Sequence, residues 1–259
     1  EGRVTVDGAS IYKAKEIVQK GGLIKVISRV EANKISPHPK GEKHSSKLLI
    51  LHEDKEVLVV IKPAGLLSVA TNKLEDDTLH SRCVDYLMSK SKRAWCHIVH
   101  RLDRDTSGVM VLAKETESKN YLQSQFAKRS VERIYHALVE GKPSESEGTD
   151  VSWIYEDKNL NVKRVKSSFR GAREAITHWT LENQRGYFSL LKIKIETGRR
   201  HQIRMAMKNL GCPVVGDILH GAKTNSFNRI CLHASALSFN HPRTNETVRF
   251  ESLAPFITH

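Results

Sequence analysis

His100-Arg101-Leu102-Asp103-Arg104-Asp105-Thr106-Ser107-Gly108 stands between two short apolar runs, His97-Ile98-Val99 and Val109-Met110-Val111-Leu112. β-Branched runs of this length read as strands, and Thr106-Ser107-Gly108 between them reads as a turn. One carboxylate, Asp103, is therefore set in a polar turn at a strand end. A lone aspartate in a turn is most often an Asx-type acceptor for its own backbone. This one has Arg101 and Arg104 beside it, and guanidinium groups close in space favour an ionised carboxylate. Held rigidly, such a group is suited to act as nucleophile or base.

The neighbouring sequence supplies a sheet around it. Residues 56–61 form a continuous apolar run after Glu56, which suits a strand buried on both faces. Lys62-Pro63-Ala64-Gly65 closes the run. Strands are also expected over 134–139, 175–179 and 187–196. In the last, Leu191, Ile193 and Ile195 alternate with Lys192 and Lys194, the pattern of a half-buried strand. Helices are expected over 118–128, where Tyr121, Leu122 and Phe126 share a face, and over 199–210, ended by Gly211 and Pro213. Strands dominate and helices are dispersed among them. This pattern points to an α+β body with a mixed, largely antiparallel central sheet and flanking helices.

Composition narrows the partner. The 259 residues carry 42 Lys+Arg against 29 Asp+Glu, a formal net charge of +13. Residues 1–44 hold 9 basic and 5 acidic side chains, so the excess is not confined to a tail. Such a balance favours a polyanion, with nucleic acid the first candidate. No run approaches the ~20 apolar residues of a membrane span, so no membrane partner is expected. Cys83, Cys96, Cys212 and Cys231 are far apart and read as reduced, buried thiols. His97 and His100 would point to opposite faces of an extended segment, which argues against a metal site. Glu1-Gly2-Arg3 runs straight into a strand-like pattern rather than a leader, so a reducing cytoplasm or an organelle matrix is expected.

Residues 1–36 read as a unit of their own. Arg3-Val4-Thr5-Val6-Asp7-Gly8 gives a strand and turn, and Gly21-Gly22-Leu23-Ile24-Lys25-Val26-Ile27 a turn and strand. The unit resembles the C-terminal half of the S-four-type RNA-binding domain, with a plain β-hairpin extension as the alternative. Residues 37–47, polar and interrupted by proline, read as a linker. Residues 48–259 are then the catalytic body.

Two further strings carry chemistry. Glu196-Thr197-Gly198-Arg199-Arg200-His201-Gln202-Ile203-Arg204 opens the second helix. Free amides at a helix start, beside Arg199 and Arg200, make an anion site. His201 and Arg204, three apart, are expected on one helical face. A solvated basic helix is the plain alternative. Arg133-Ile134-Tyr135-His136-Ala137-Leu138-Val139-Glu140-Gly141 carries a strand tyrosine. Its ring can stack on a base and its hydroxyl can reach polar atoms.

Together these strings resemble the HRLDxxTSG, GRxHQ(I/L)R and (K/R)xYxAxVxG elements of the RluA family of RNA pseudouridine synthases. Lys62 to Gly65 resembles its KPAG turn, and Gly211 to Asp217 its GxPxxGD run. Cys231-Leu232-His233-Ala234, with Phe239 to Pro242, resembles its closing LHA…F…HP segment. The likeness runs from about residue 50 to 255, and spaced, chemically distinct motifs in order are far more specific than one short motif. Two positions depart: Ala206 stands where the family usually has His, and His220 where it usually has Tyr.

The resemblance implies the pseudouridine synthase fold and isomerisation of uridines in structured RNA, ribosomal or transfer, after the base is flipped out. It implies Asp103 as nucleophile or base, Arg204 as its pairing partner, and Tyr135 against the uracil as candidate general base. It implies RNA contacts at Lys62, His100, Arg101, Arg104, Arg199, Arg200 and His201. No cofactor or metal is expected, and the chain is expected to be a monomer. Two rivals share the basic charge: a non-catalytic RNA-binding factor on the same scaffold, and a hydrolase holding a metal between Asp103 and Asp105.

Overall fold

β5 (Val57–Lys62) and β7 (Ser107–Ala113) pair antiparallel at the heart of the sheet, Val57 opposite Ala113 and Lys62 opposite Gly108. Successive side chains of a strand point to opposite faces. Leu58, Val60, Met110 and Leu112 accordingly join one core. Val57, Val59, Val109, Val111 and Ala113 join the other. Both faces are covered, and that is why these strands are apolar without alternation.

The structure is a computed structural model that describes residues 4–7, 9–11, 18–19, 21–26, 48–71, 75–158 and 160–257. It divides into two compact units, Glu1–Lys47 and Leu48–His259. In the first, β1 (Val4–Val6), β2 (Ala9–Ile11) and β3 (Ile24–Val26) form an antiparallel sheet in the order β2-β1-β3. Asp7 holds its turn, its Oδ1 accepting the Leu23 N–H at 2.9 Å. The expected linker, residues 37–47, lies outside the described residues.

In the second unit the sheet runs β10 (Val162–Val165), β9 (Glu147–Glu156), β11 (Arg173–Arg185), β12 (Phe188–Ile195), β8 (Glu132–Glu140), β13 (Leu232–Asn240), β7, β5 and β4 (Leu49–Glu53). β14 (Thr247–Glu251) pairs with β13, and β6 (His97–Ile98) with β7. Among the described residues, every pairing in this sheet is antiparallel except β7 with β13. That parallel contact explains a glycine. Gly108 sits at φ +124°, and a Cβ there would lie 2.2 Å from the Ala234 carbonyl oxygen. Only glycine tolerates this approach. Ser107 and Gly108 therefore begin a strand, where the sequence reading placed a turn.

Among the described residues, three α-helices flank the sheet: α1 (Leu79–Lys90), α2 (Thr116–Ala127) and α3 (Gln202–Asn209). α1 is absent from the sequence reading. Its start is a capping box of Thr78 and Ser81, with Ser rather than Glu closing the pair. Leu79, Cys83, Val84 and Leu87 of α1, with Ile203, Ala206 and Met207 of α3, pack on one core, and Leu122 of α2 on the other. Ala206 is buried there, so the departure at this position is filled by packing. Cys83, Cys96, Cys212 and Cys231 are all free and buried. Among the described residues, no helix is long and apolar enough to cross a membrane.

Candidate active site

Asp103 lies in the turn between β6 and β7, with the Thr106 N–H donating to its carbonyl at 3.2 Å. Two buried side chains clamp this turn from outside. The Ser68 hydroxyl donates to the Leu102 carbonyl at 2.8 Å and accepts the Leu102 N–H at 3.1 Å. The Lys62 ammonium donates to the carbonyls of Arg104 (2.8 Å), Pro63 (2.9 Å) and Leu66 (2.6 Å). Lys62 is 0% exposed, which overturns its expected role as an RNA contact. A buried ammonium with three carbonyl partners is a staple between the Lys62-Pro63-Ala64-Gly65 turn and the aspartate turn. Burial pulls its pKa down to about 7, against the opposing charges of Asp105 and Asp103.

Burial dominates Asp103 and raises its pKa above the ordinary carboxylate value. The charges of Arg204, Arg101 and Arg200 and a hydrogen bond from the His201 N–H oppose the rise. Desolvation outweighs the cations, so the carboxylate is more basic than a free one. Arg101 thus tunes Asp103 as well as facing solvent, and Arg104 is exposed with its Nε donating to the Gly65 carbonyl at 3.1 Å.

Arg204 was expected to pair with Asp103. Its hydrogen bonds go to Asp217, from Nε to Oδ2 at 2.7 Å and from Nη2 to Oδ1 at 2.6 Å. Both groups are buried, and the fork is the strong bidentate kind. Arg204 still acts on Asp103 through its charge. One guanidinium therefore serves two carboxylates, bonded to one and polarising the other. Asp217, missed as a functional residue, was visible at the end of the quoted Gly211–Asp217 run.

The string that carries Arg204 is folded differently from expectation. α3 starts at Gln202, and His201 is its N-cap in the left-handed region at φ 55°. His201 and Arg204 therefore do not share a helical face. Gln202 fixes this start with all its bonds inward. Its Oε1 accepts from the Thr197 hydroxyl (2.7 Å) and the Arg199 N–H (3.0 Å), and its Nε2 donates to the Ile176 carbonyl (2.9 Å) and the Thr177 hydroxyl (3.1 Å). The His201 Nδ1 lies 3.1 Å from the His220 Nε2. Burial lowers the His201 pKa to about 3, with Arg204 adding to the effect, so the imidazole is neutral near pH 7. His220, the other family departure, thus supports His201.

Tyr135 comes from β8, opposite Ile193 of β12 and Ala234 of β13. Burial pushes its phenol up to about 12, with the Arg133 charge opposing. It rests as a neutral phenol. Arg133, two residues earlier, is buried, donates from Nη2 to the Glu196 carbonyl at 2.7 Å, and lies over the Phe126 ring. Gly198 makes room for it, since a Cβ there would meet its Nη1 at 2.9 Å. His100 stacks on Phe126 with ring centroids 4.8 Å apart and accepts the Val111 N–H at 3.2 Å. Burial holds its pKa down at about 3. His100 is a neutral, half-buried brace for the turn on the wall of the smaller cavity.

Two cavities meet at Asp103. One, about 650 Å³, is lined by Arg101, Arg104, Asp105, Arg200, Asp217 and Arg229 among others. The second, about 340 Å³, holds Tyr135, Arg133, Phe126, Ile195, Arg199 and Leu232. Asp103, Arg204 and His201 line both. Asp103 is the one carboxylate common to the two, among the described residues. Arg199 and Arg200 are half-buried, with Arg199 Nε donating to the Glu174 carbonyl at 3.1 Å and Arg200 paired with Glu156 at 3.4 Å.

Among the described residues, one group has metal-ligand spacing. Asp54, Glu56 and His241 each place an atom within 4.8 Å of the others. His52 and His241 bond Asp54, at 2.8 and 3.0 Å, and Arg243 pairs with Glu56. It is an ion-pair network joining β4, β5 and the β13–β14 turn.

The model of the RNA pseudouridylate synthase family matches residues 56–209. A relative from Bacillus subtilis, the uncharacterized RNA pseudouridine synthase YlyB, is 36% identical over 98% of this chain and 83% of its own length. The ribosomal large subunit pseudouridine synthase D of Pseudomonas aeruginosa is 34% identical over 98% of this chain and 81% of its own. The solved human RNA pseudouridylate synthase domain containing 4 shares the fold, with a TM-score of 0.67 and 24% identity over 80% of this chain and 89% of that one. The chain belongs to the RNA pseudouridine synthases of the RluA type. It is an isomerase acting on uridine in RNA.

Proposed function

We propose that Asp103 is the group that opens the reaction. The observation that carries this is its place as the carboxylate shared by both cavities, half-buried and under the charge of Arg204. Isomerisation breaks the bond between N1 and C1′, turns the uracil, and makes a bond from C5 to C1′. C5 gives up a proton and N1 gains one, so nothing is added or removed overall. Attack on the nucleoside and removal of a sugar proton both start from an ionised carboxylate, and the raised pKa makes that carboxylate a better base and nucleophile. Tyr135 packs its ring on the uracil in the smaller cavity. Its hydroxyl can take the C5 proton as its own proton passes to N1, which leaves a neutral phenol at the end, and the Arg133 charge beside it favours the partly ionised oxygen in between.

Arg101, Arg104, Arg199 and Arg200 hold the phosphates, which fixes register without reading sequence. The three-stranded unit adds RNA affinity as a partial S-four-type domain. The substrate is large-subunit ribosomal RNA, as the name of the Pseudomonas relative suggests for that protein; in this reading the enzyme works as a cytoplasmic monomer. Mapping pseudouridine in RNA from cells with and without this protein tests the target. Sites lost only from large-subunit ribosomal RNA support it; sites lost only from transfer RNA refute it.

A further inference from the structure

Ile218 and Leu219 are 61% and 71% exposed, yet they stand on the lip of the larger cavity. Two adjacent large aliphatic side chains facing water beside a reaction cleft call for a partner. They sit on a single 3-10 turn, Ile218–His220, whose N-cap is Asp217, the residue that holds Arg204. The segment that leads into the turn is anchored. The Gly216 N–H donates to the Thr224 carbonyl at 2.9 Å, the Asp217 N–H to the Val214 carbonyl at 2.9 Å, and the Cys231 N–H to the Val215 carbonyl at 2.9 Å. A Cβ on Gly216 would lie 2.0 Å from the Arg229 carbonyl oxygen, so the two backbones are in contact. The backbone that carries the apolar tip is therefore held in place. Arg104, Arg200 and Arg229 line the same cavity, a setting that suits a polyanion.

We propose that Ile218 and Leu219 form a wedge that packs against the base next to the target uridine once that uridine has left its stack. Flipping exposes the face of a neighbouring base, and an apolar side chain set against that face opposes its return. The wedge hangs from Asp217, and Asp217 bonds the guanidinium that acts on Asp103, so RNA seating and the reacting group share one rigid support. The proposal rests on the reading of Asp103 as that reacting group.

The test compares one uridine in two RNAs, paired within a stem and unpaired in a loop, for the wild type and the Ile218→Ser/Leu219→Ser variant. The kcat/KM ratio of paired to unpaired substrate is expected to fall about tenfold or more, because flipping is costly only from the stack. A 2-aminopurine beside the uridine is expected to brighten on binding the wild type and less on binding the variant. Leu219→Phe, with a larger face, is expected to keep the wild-type ratio, and a thermal melt of each variant reports folding separately. An unchanged ratio overturns the wedge. So does a wild-type dimer that Leu219→Ser turns into a monomer, since a second copy would then cover the tip. Asp103→Asn run alongside separates the failures: full activity there sinks the site, whatever the ratio shows.

Discussion

Arg204 bonds Asp217 through both arms of its guanidinium, at 2.7 and 2.6 Å, while its charge also bears on Asp103. The pair sets the direction of the cation. Without Asp217 the guanidinium is free to swing, and the buried charge loses its partner. Asp217→Asn is expected to cost about 3–5 kcal/mol of stability, the range for breaking a buried pair. Activity is expected to fall about a hundredfold through misplacement at Asp103, the proposed reacting group. Urea unfolding and a pseudouridine assay check both; wild-type stability with wild-type rate would show the pair to be idle.

Charging Asp103 works against its surroundings. Its folded pKa is raised, so the native state binds that proton more tightly than the unfolded chain does. The charge therefore costs stability above the folded value, and the cost vanishes as pH falls below the unfolded value near ~3.9. Asp103→Asn is expected to melt above the wild type at neutral pH, with the gain shrinking as the acid limit is approached. A variant that melts lower at neutral pH would mean that burial does not dominate this carboxylate.

Lys62 holds the turn that presents Asp103. Lys62→Met leaves three carbonyls without their donor, each worth about 1–3 kcal/mol when buried and unmet. Water reaching part of the gap softens the sum, and a loss of about 3 kcal/mol is expected. RNA affinity is expected to change little, because the ammonium has no exposed surface. A large loss of RNA binding at unchanged stability would restore Lys62 to the phosphate contacts.

Gly108→Ala places a methyl against the Ala234 carbonyl where β7 meets β13. Backbone on both sides leaves nothing to yield cheaply, and a loss above about 4 kcal/mol is expected. A folded variant with an unshifted melting curve would show that the parallel contact is loose.

Much of the fold was legible where chemistry is local. β5 and β7 announced themselves as unbroken apolar runs because both faces of the sheet are covered, and β12 as an alternating one because one face meets water. α1 was overlooked, although Leu79, Cys83, Val84 and Leu87 mark its buried face, because its capping box closes on Ser81 in place of an acid. The site was legible as motifs and illegible as contacts. Asp103, Tyr135 and Arg204 were named by their strings, but sequence spacing carries no information on which carboxylate Arg204 bonds. The same limit hid Lys62. A lysine in a Pro-Gly turn reads as exposed, and only the folded chain brings the carbonyls of Leu66 and Arg104 around its ammonium. His201 failed for a different reason: a left-handed N-cap breaks the helical spacing on which its predicted face depended.

Asp103 is proposed to perform the first step. Incubating Asp103→Asn with a target transcript and counting pseudouridine tests it most directly, with RNA affinity measured on the same preparation. No pseudouridine above background, with affinity within about threefold of the wild type, is the expected result. Pseudouridine formed at the wild-type rate by that variant would contradict it.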